Sequence, residues 1–234
     1  MTSTRRTVLH TSTAFLVGLA STSDSGQALP APSQTTPVIA AARQTQADDY
    51  TRYELFDPAS ASFRILYEVT ATTAGARFYW NPIRKGSVAS NESVADPASG
   101  LPLKFTEVSG AEARTNGLGD AELDTRYIQI ELPRPVPKDG ETRLLIEKTY
   151  KDEKSYFVEP GTGFIVFSRS LGIKRNAVVL PAGYEVVACN YPSQVFAEPV
   201  AATTGQPAGS RLRMSFMNIG PDAVSYVVKA RRMK

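Results

Sequence analysis

Phe63-Arg64-Ile65-Leu66-Tyr67-Glu68-Val69 decides the fold class, because Phe63, Ile65, Tyr67 and Val69 share one face opposite Arg64 and Glu68. Successive side chains of an extended strand point to opposite sides, so a period of two marks a half-buried strand. The same alternation recurs outward along the chain. Ile128, Ile130 and Leu132 oppose Gln129 and Glu131, and Leu212, Met214 and Phe216 oppose Arg211, Arg213 and Ser215. Val224, Tyr226 and Val228 make one more such face. Between these runs stand turn formers: Asp57-Pro58, Asn81-Pro82, Asp96-Pro97, Lys138-Asp139-Gly140, Glu159-Pro160-Gly161, Pro181-Ala182-Gly183 and Gly220-Pro221-Asp222. Short alternating runs punctuated in this way predict an all-β chain, a single β-sandwich of about ten to twelve short antiparallel strands. No apolar stripe persists at helical spacing for three turns, so helix is predicted to be minor. Phe78, Trp80, Phe164, Phe167 and the tyrosines are expected in the sandwich core and its rim.

Ahead of these strands, residues 1–42 read as signal peptide and flexible leader, which leaves 43–234 as the predicted sandwich domain. Arg5 and Arg6 precede an uncharged stretch, Thr11 to Ala20, and small residues follow. That order is a secretory signal. Its apolar part is too short to span a bilayer, which takes roughly twenty residues. An exported chain, periplasmic or extracellular, with no integral membrane segment after signal removal is therefore expected. The Arg5-Arg6 pair followed by Thr7-Val8-Leu9 fits twin-arginine export, and a Sec signal that begins with two arginines fits equally. Cleavage motifs recur at Gly18-Leu19-Ala20, Gly26-Gln27-Ala28 and Ala40-Ala41-Ala42. Ser21 to Thr36 is rich in Ser, Thr, Pro and Gln and too poor in bulky apolar residues to order itself.

Composition removes several function classes. The chain carries a formal +3, and losing Arg5, Arg6 and Asp24 with residues 1–42 leaves about +2. No basic stripe of the kind nucleic acid requires is present. The densest basic cluster, Lys229-Ala230-Arg231-Arg232-Met233-Lys234, is expected to be a solvated tail. The single histidine is His10, inside the signal. The exported chain would then have no Ser-His or Cys-His nucleophile, no His-ligated zinc and no HExxH motif. Cys189 is the single cysteine, which rules out an intrachain disulfide or a thiolate cluster. Flanked by Val186-Val187-Ala188, it reads as a small buried hydrophobe.

Three acidic residues suggest chemistry. Asp120, Glu122 and Asp124 follow Asn116-Gly117-Leu118-Gly119, and in an extended segment their carboxylates would point the same way. Hard oxygen ligands on a glycine-rich loop suit calcium, although the spacing is not that of an EF-hand and an exposed acidic loop fits as well. Glycoside hydrolysis needs two carboxylates across a cleft and no histidine, so it also survives, with no pair singled out. Gly161-Thr162-Gly163 lacks a following helix and lysine and reads as a turn. Neither a GxSxG elbow nor an SxxK motif occurs.

Tyr127-Ile-Gln-Ile-Glu-Leu-Pro-Arg-Pro-Val-Pro-Lys-Asp-Gly-Glu-Thr-Arg-Leu-Leu-Ile-Glu-Lys-Thr-Tyr150 runs strand, proline-rich link, Gly-Glu turn and strand. It resembles the N-terminal β-sandwich domain of M1-type gluzincin aminopeptidases. Phe167-Ser-Arg-Ser-Leu-Gly-Ile-Lys-Arg-Asn-Ala-Val-Val-Leu-Pro-Ala-Gly-Tyr184 is similar to strand-turn-strand segments of uncharacterised secreted bacterial proteins related to that domain. The resemblance covers about half of the exported chain. It implies a stand-alone sandwich without the catalytic domain, and no catalytic residue carries over, because the zinc-binding histidines and the catalytic glutamate motif have no counterpart here. Two functions follow as expectations. One is an exported non-catalytic binding or interaction module with a protein or polymer partner in the envelope and no cofactor beyond calcium. The alternative is a carboxylate-dependent glycan hydrolase.

Overall fold

The computed structural model describes residues 48–201 and 209–233; residues 1–42, read as signal and leader with the Arg5-Arg6 pair, lie outside the described residues. Strand dominates, as the alternation predicts, and the described residues hold fourteen strands in three sheets rather than ten to twelve. The largest sheet runs, in spatial order, β12 (Gln194–Val200), β13 (Gly209–Met217), β10 (Arg175–Val179), β1 (Tyr50–Leu55), β2 (Ser62–Ala71), β7 (Thr142–Lys151) and β4 (Val88–Ala95). A second holds β11 (Tyr184–Cys189), β14 (Val224–Arg232), β9 (Ile165–Leu171) and β8 (Tyr156–Val158), and a third β3 (Phe78–Ile83), β6 (Arg126–Glu131) and β5 (Phe105–Ser109). No helix among the described residues is long and apolar enough to cross a membrane.

One pairing departs from the antiparallel expectation. β1 and β10 run parallel, with Tyr50 opposite Arg175 and Glu54 opposite Val179. Alternation reports which face is buried but not strand direction, so this pairing left no trace in the sequence. Asn176 to Val179 are all buried, the continuous burial of a strand covered on both faces.

On one face β10 is crossed by charge. Arg52 of β1 donates to both carboxylate oxygens of Glu198 on β12, at 2.9 and 2.7 Å, and the sheet order places β10 and β13 between them. Ala177, in register with Arg52, is fully buried. Arg213 and Arg211 also reach Glu198, at 3.2 and 4.0 Å. Glu198 thus anchors an edge strand to three arginines that would otherwise repel one another. Glu198→Ala should cost about 2 kcal/mol in denaturant unfolding, between the values for exposed and buried ion pairs, whereas Glu153→Ala, at an exposed pair with Lys151, should cost nothing measurable.

Lys229 to Arg232 of the basic C-terminal cluster likewise belong to a strand and not to a tail. Within β14, Ala230 is buried, Lys229 pairs with Glu159 and Arg231 with Glu185. All three sheets contribute to one apolar core. At its centre Phe63 and Phe167 meet edge to face at 5.4 Å, with Tyr53 also 5.4 Å from Phe167; Phe216 stacks on Tyr226 at 4.4 Å. Phe78 and Trp80 pair instead at the rim, where Phe78 is exposed. Cys189 is half-buried rather than enclosed, its thiol donating to the Tyr191 carbonyl.

The short helix α1 (Gly110–Thr115) opens with a capping box: Glu112 N donates to Ser109 Oγ, and Ser109 N to Glu112 Oε2. A Cβ at Gly110 would lie 2.0 Å from the Glu122 carbonyl oxygen. Only glycine lets the acidic loop fold back against this helix.

Candidate functional site

Two strands place a cation where alternation demands an apolar residue. On β7 the inward row is Thr142, Leu144, Ile146, Lys148 and Tyr150, every member buried. On β9 it is Ile165, Phe167, Arg169 and Leu171, again all buried. β7 belongs to the seven-stranded sheet and β9 to the four-stranded one, and β3 of the third sheet supplies Asn81 between them.

Arg169 is compensated. Its Nη1 lies 3.1 Å from Asp152 Oδ2 and 3.3 Å from Ser155 Oγ, and its guanidinium sits 5.3 Å from the ring centres of Phe63 and Tyr150. Asp152 is saturated in turn by the hydroxyls of Ser155 at 2.7 Å and Ser87 at 3.1 Å and by the amides of Lys154 and Ser155. Burial by itself would raise this carboxyl. The donors, together with Arg169, outweigh that and hold it below the usual carboxylate range.

Lys148 is not compensated. Only 4 % of it is exposed, its Nζ donates to Asn81 Oδ1, and it lies 5.0 Å from the Tyr150 ring centre. Desolvation and the neighbouring Arg169 charge push its amine down from 10.5 to about 8, against a smaller opposing pull from Glu92. Burying a charge without a partner is expensive, and no acidic side chain lines the space in front of it.

That space is a pocket of about 270 Å³. Its floor is buried: Thr51, Tyr53, Asn81, Lys148 and Arg169, with apolar walls from Ile65 and Leu171. Its mouth is formed by the exposed Pro82, Arg84, Ser170 and Gly172. The Thr51 hydroxyl, on a residue 2 % exposed, has no hydrogen-bond partner. A neighbouring hollow shares Arg84, Arg169 and Ser170 and adds Lys85 and Lys154, with Asp152 its one carboxylate. The site is therefore a cationic, partly apolar cavity. Its lining offers no facing pair of carboxylates.

No protein-family model and no curated protein matches the chain by sequence. Among solved structures, an M1 zinc metallopeptidase from Deinococcus radiodurans is similar at TM-score 0.46 and 10 % identity, over 78 % of this chain and 40 % of that one. An aminopeptidase N family protein from Idiomarina loihiensis is similar at TM-score 0.43 and 11 % identity, over 78 % of this chain and 29 % of that one. The chain is similar to part of M1 aminopeptidases. It spans well under half the length of either.

The sequence-predicted metal residues lie elsewhere. They are carried by successive turns after α1 and not by an extended segment: Ala121 N bonds to Leu118 O, and Thr125 N to Glu122 O. Glu122 and Asp124 do come together, on the Lys85 ammonium at 3.0 and 2.8 Å, while Asp120 stands exposed on the preceding turn. No group of three potential metal-ligating side chains forms among the described residues. A lysine occupies the place a cation would take, so the melting temperature is expected to stay flat from chelator to millimolar calcium. A bound ion would raise stability by about 2.7 kcal/mol at a hundredfold excess over Kd, and a rise lost on changing Asp120, Glu122 and Asp124 to their amides would establish the calcium site.

Lys148 and Arg169 were both within reach of sequence reasoning. Leu144, Ile146, Lys148 and Tyr150, and Phe167, Arg169 and Leu171, are period-two rows in which a single charge interrupts apolar residues. A polar residue at a core position is the informative exception to hydrophobic burial.

Proposed function

We propose that the chain is an exported, non-catalytic β-sandwich acting as a binding module in the periplasm or outside the cell, and that the pocket at the junction of its three sheets receives an anionic group from a protein or polymer partner of the envelope. The observation that carries this is Lys148, a buried amine with no counter-charge at the floor of an open pocket. Structural roles do not account for it, since an apolar side chain in the same row would pack without the cost of desolvating a charge. The hydrolase alternative needs two facing carboxylates, and the pocket lining offers none.

The test compares immobilised wild-type chain with Lys148→Met against an envelope extract. Retention of an anionic species by the wild type alone bears the reading out. Identical retention by both removes the pocket from it, and turnover of a glycan substrate by the wild type would favour the hydrolase. Cell fractionation that finds the uncleaved chain in the cytoplasm would remove export.

A further inference from the structure

We infer that the three-sheet pocket binds a monocarboxylate with a compact apolar body, the carboxylate accepting from Lys148 Nζ while the body lies against Ile65, Leu171 and the Tyr53 ring. This deepens the binding reading above and rests on it.

Charge selects the class. The pocket floor holds two cations, Lys148 and Arg169, and Arg169 already pairs with Asp152 of the neighbouring hollow. One positive charge remains, on Lys148. A monoanion neutralises it, whereas a dianion such as phosphate would bring a surplus negative charge into a desolvated site, at heavy cost. Arg84 is exposed at the mouth and draws anions inward without entering that balance.

Unfilled hydrogen-bonding capacity points to the same group. An ammonium has three donors, and Asn81 accepts from Lys148. The two donors left on that ammonium match the two oxygens of a carboxylate.

The lining sets the body. Ile65, Leu171 and the Tyr53 ring border a space of about 270 Å³ that opens at Pro82, Arg84, Ser170 and Gly172, so the ring of benzoate or the terminal residue of a chain can enter, and a free acid and a chain-end carboxylate share the chemistry.

The test is calorimetric titration of the full chain at pH 7 with benzoate, its neutral match benzamide, inorganic phosphate, and N-acetyl-glycyl-phenylalanine as a chain end. Benzoate is expected to saturate one site, with benzamide and phosphate at least tenfold weaker. Lys148→Met should abolish benzoate binding while staying folded. Arg84→Gln, at an exposed position that cannot unfold the core, should weaken it a fewfold. Binding of the peptide alongside benzoate assigns the chain-end source and benzoate alone the free acid; either bears the inference out.

The pH arm has one expected titration. Tyr53, Tyr67 and Tyr150 are raised by burial and stay neutral, Arg169 pairs with Asp152, and Asp49, pushed up to about 6 by burial, is ionised throughout a scan begun above pH 7. Benzoate affinity should thus fall about tenfold per pH unit above the free amine's value near 8. Equal binding of benzamide, tighter binding of phosphate, unchanged affinity in Lys148→Met, or no binding of any probe would overturn the inference. Where every probe fails and the wild type still retains an envelope species that Lys148→Met does not, this inference falls and the binding reading stands.

Discussion

Asp152→Ala is expected to destabilise the chain by about 4 kcal/mol at pH 7, the largest effect of any single substitution considered, because it leaves Arg169 buried without its counter-charge. Arg169 is 7 % and Asp152 6 % exposed, so water cannot replace the lost carboxylate. The removal also strips Ser87, Ser155 and the Lys154 amide of their acceptor, and it raises the uncompensated charge at the pocket floor from one to two. Adding Arg169→Met should recover at least about 2 kcal/mol, a coupling of the size seen for neighbours in one network. The sign with pH follows from the lowered Asp152 carboxyl. Its contribution is fully present above the unfolded value of 3.8 and is lost as pH falls through the lower folded value. The wild type and Asp152→Ala should therefore converge in acid. A double-mutant cycle by urea unfolding measures both; a coupling near zero would mean that Asp152 and Arg169 are held by packing alone.

Lys148→Met should do the reverse and stabilise the fold. The folded amine titrates at about 8 and the unfolded at 10.5, which amounts to about 3 kcal/mol of desolvation cost carried at neutral pH. Methionine removes that cost with little change in shape but strands Asn81 Oδ1, at about 1 to 2 kcal/mol. The net gain expected at pH 7 is about 1 to 2 kcal/mol by this balance. Between pH 8 and 10.5 the unfolded wild type binds more protons than the folded one, so wild-type stability rises with pH in that window and is lost again as pH falls through 8. The methionine variant lacks this slope. Its advantage should vanish and change sign above pH 10.5, where the amine is neutral in both states. Parallel unfolding curves at pH 7 and pH 11 test this, and a difference that does not vary with pH would show that Lys148 titrates normally.

The fold was legible because alternation is a local property. The rows that decide it, Phe63 to Val69, Ile128 to Glu131, Leu212 to Phe216 and Val224 to Val228, each lie in a strand. What escaped the sequence is non-local. Parallel pairing of β1 with β10 joins residues 50–54 to residues 175–179, and nothing in either segment alone encodes direction. The arrangement of the acidic triplet was not legible, because an extended backbone would point its side chains one way, whereas Gly110 lets two turns fold against α1 and bring Glu122 and Asp124 to Lys85. Helix α1 could have been found from Ser109 and Glu112, a capping box three residues apart. The pocket was half legible. Lys148 and Arg169 stand out as charges in apolar rows, but their meeting depends on how three sheets pack, and that Asp152 serves one cation and not the other is set only in three dimensions.

The central claim is that Lys148 is a buried, uncompensated amine awaiting an anion. The most direct measurement follows the 13Cε resonance of Lys148 in lysine-labelled protein, assigned by its loss in Lys148→Met, from pH 7 to 11 with and without saturating benzoate. The predicted result is a titration near 8 in the free chain that moves up by at least one pH unit when benzoate is bound, since an anion in contact favours the charged form. A resonance that titrates near 10.5 in both samples, as an exposed lysine does, would contradict it.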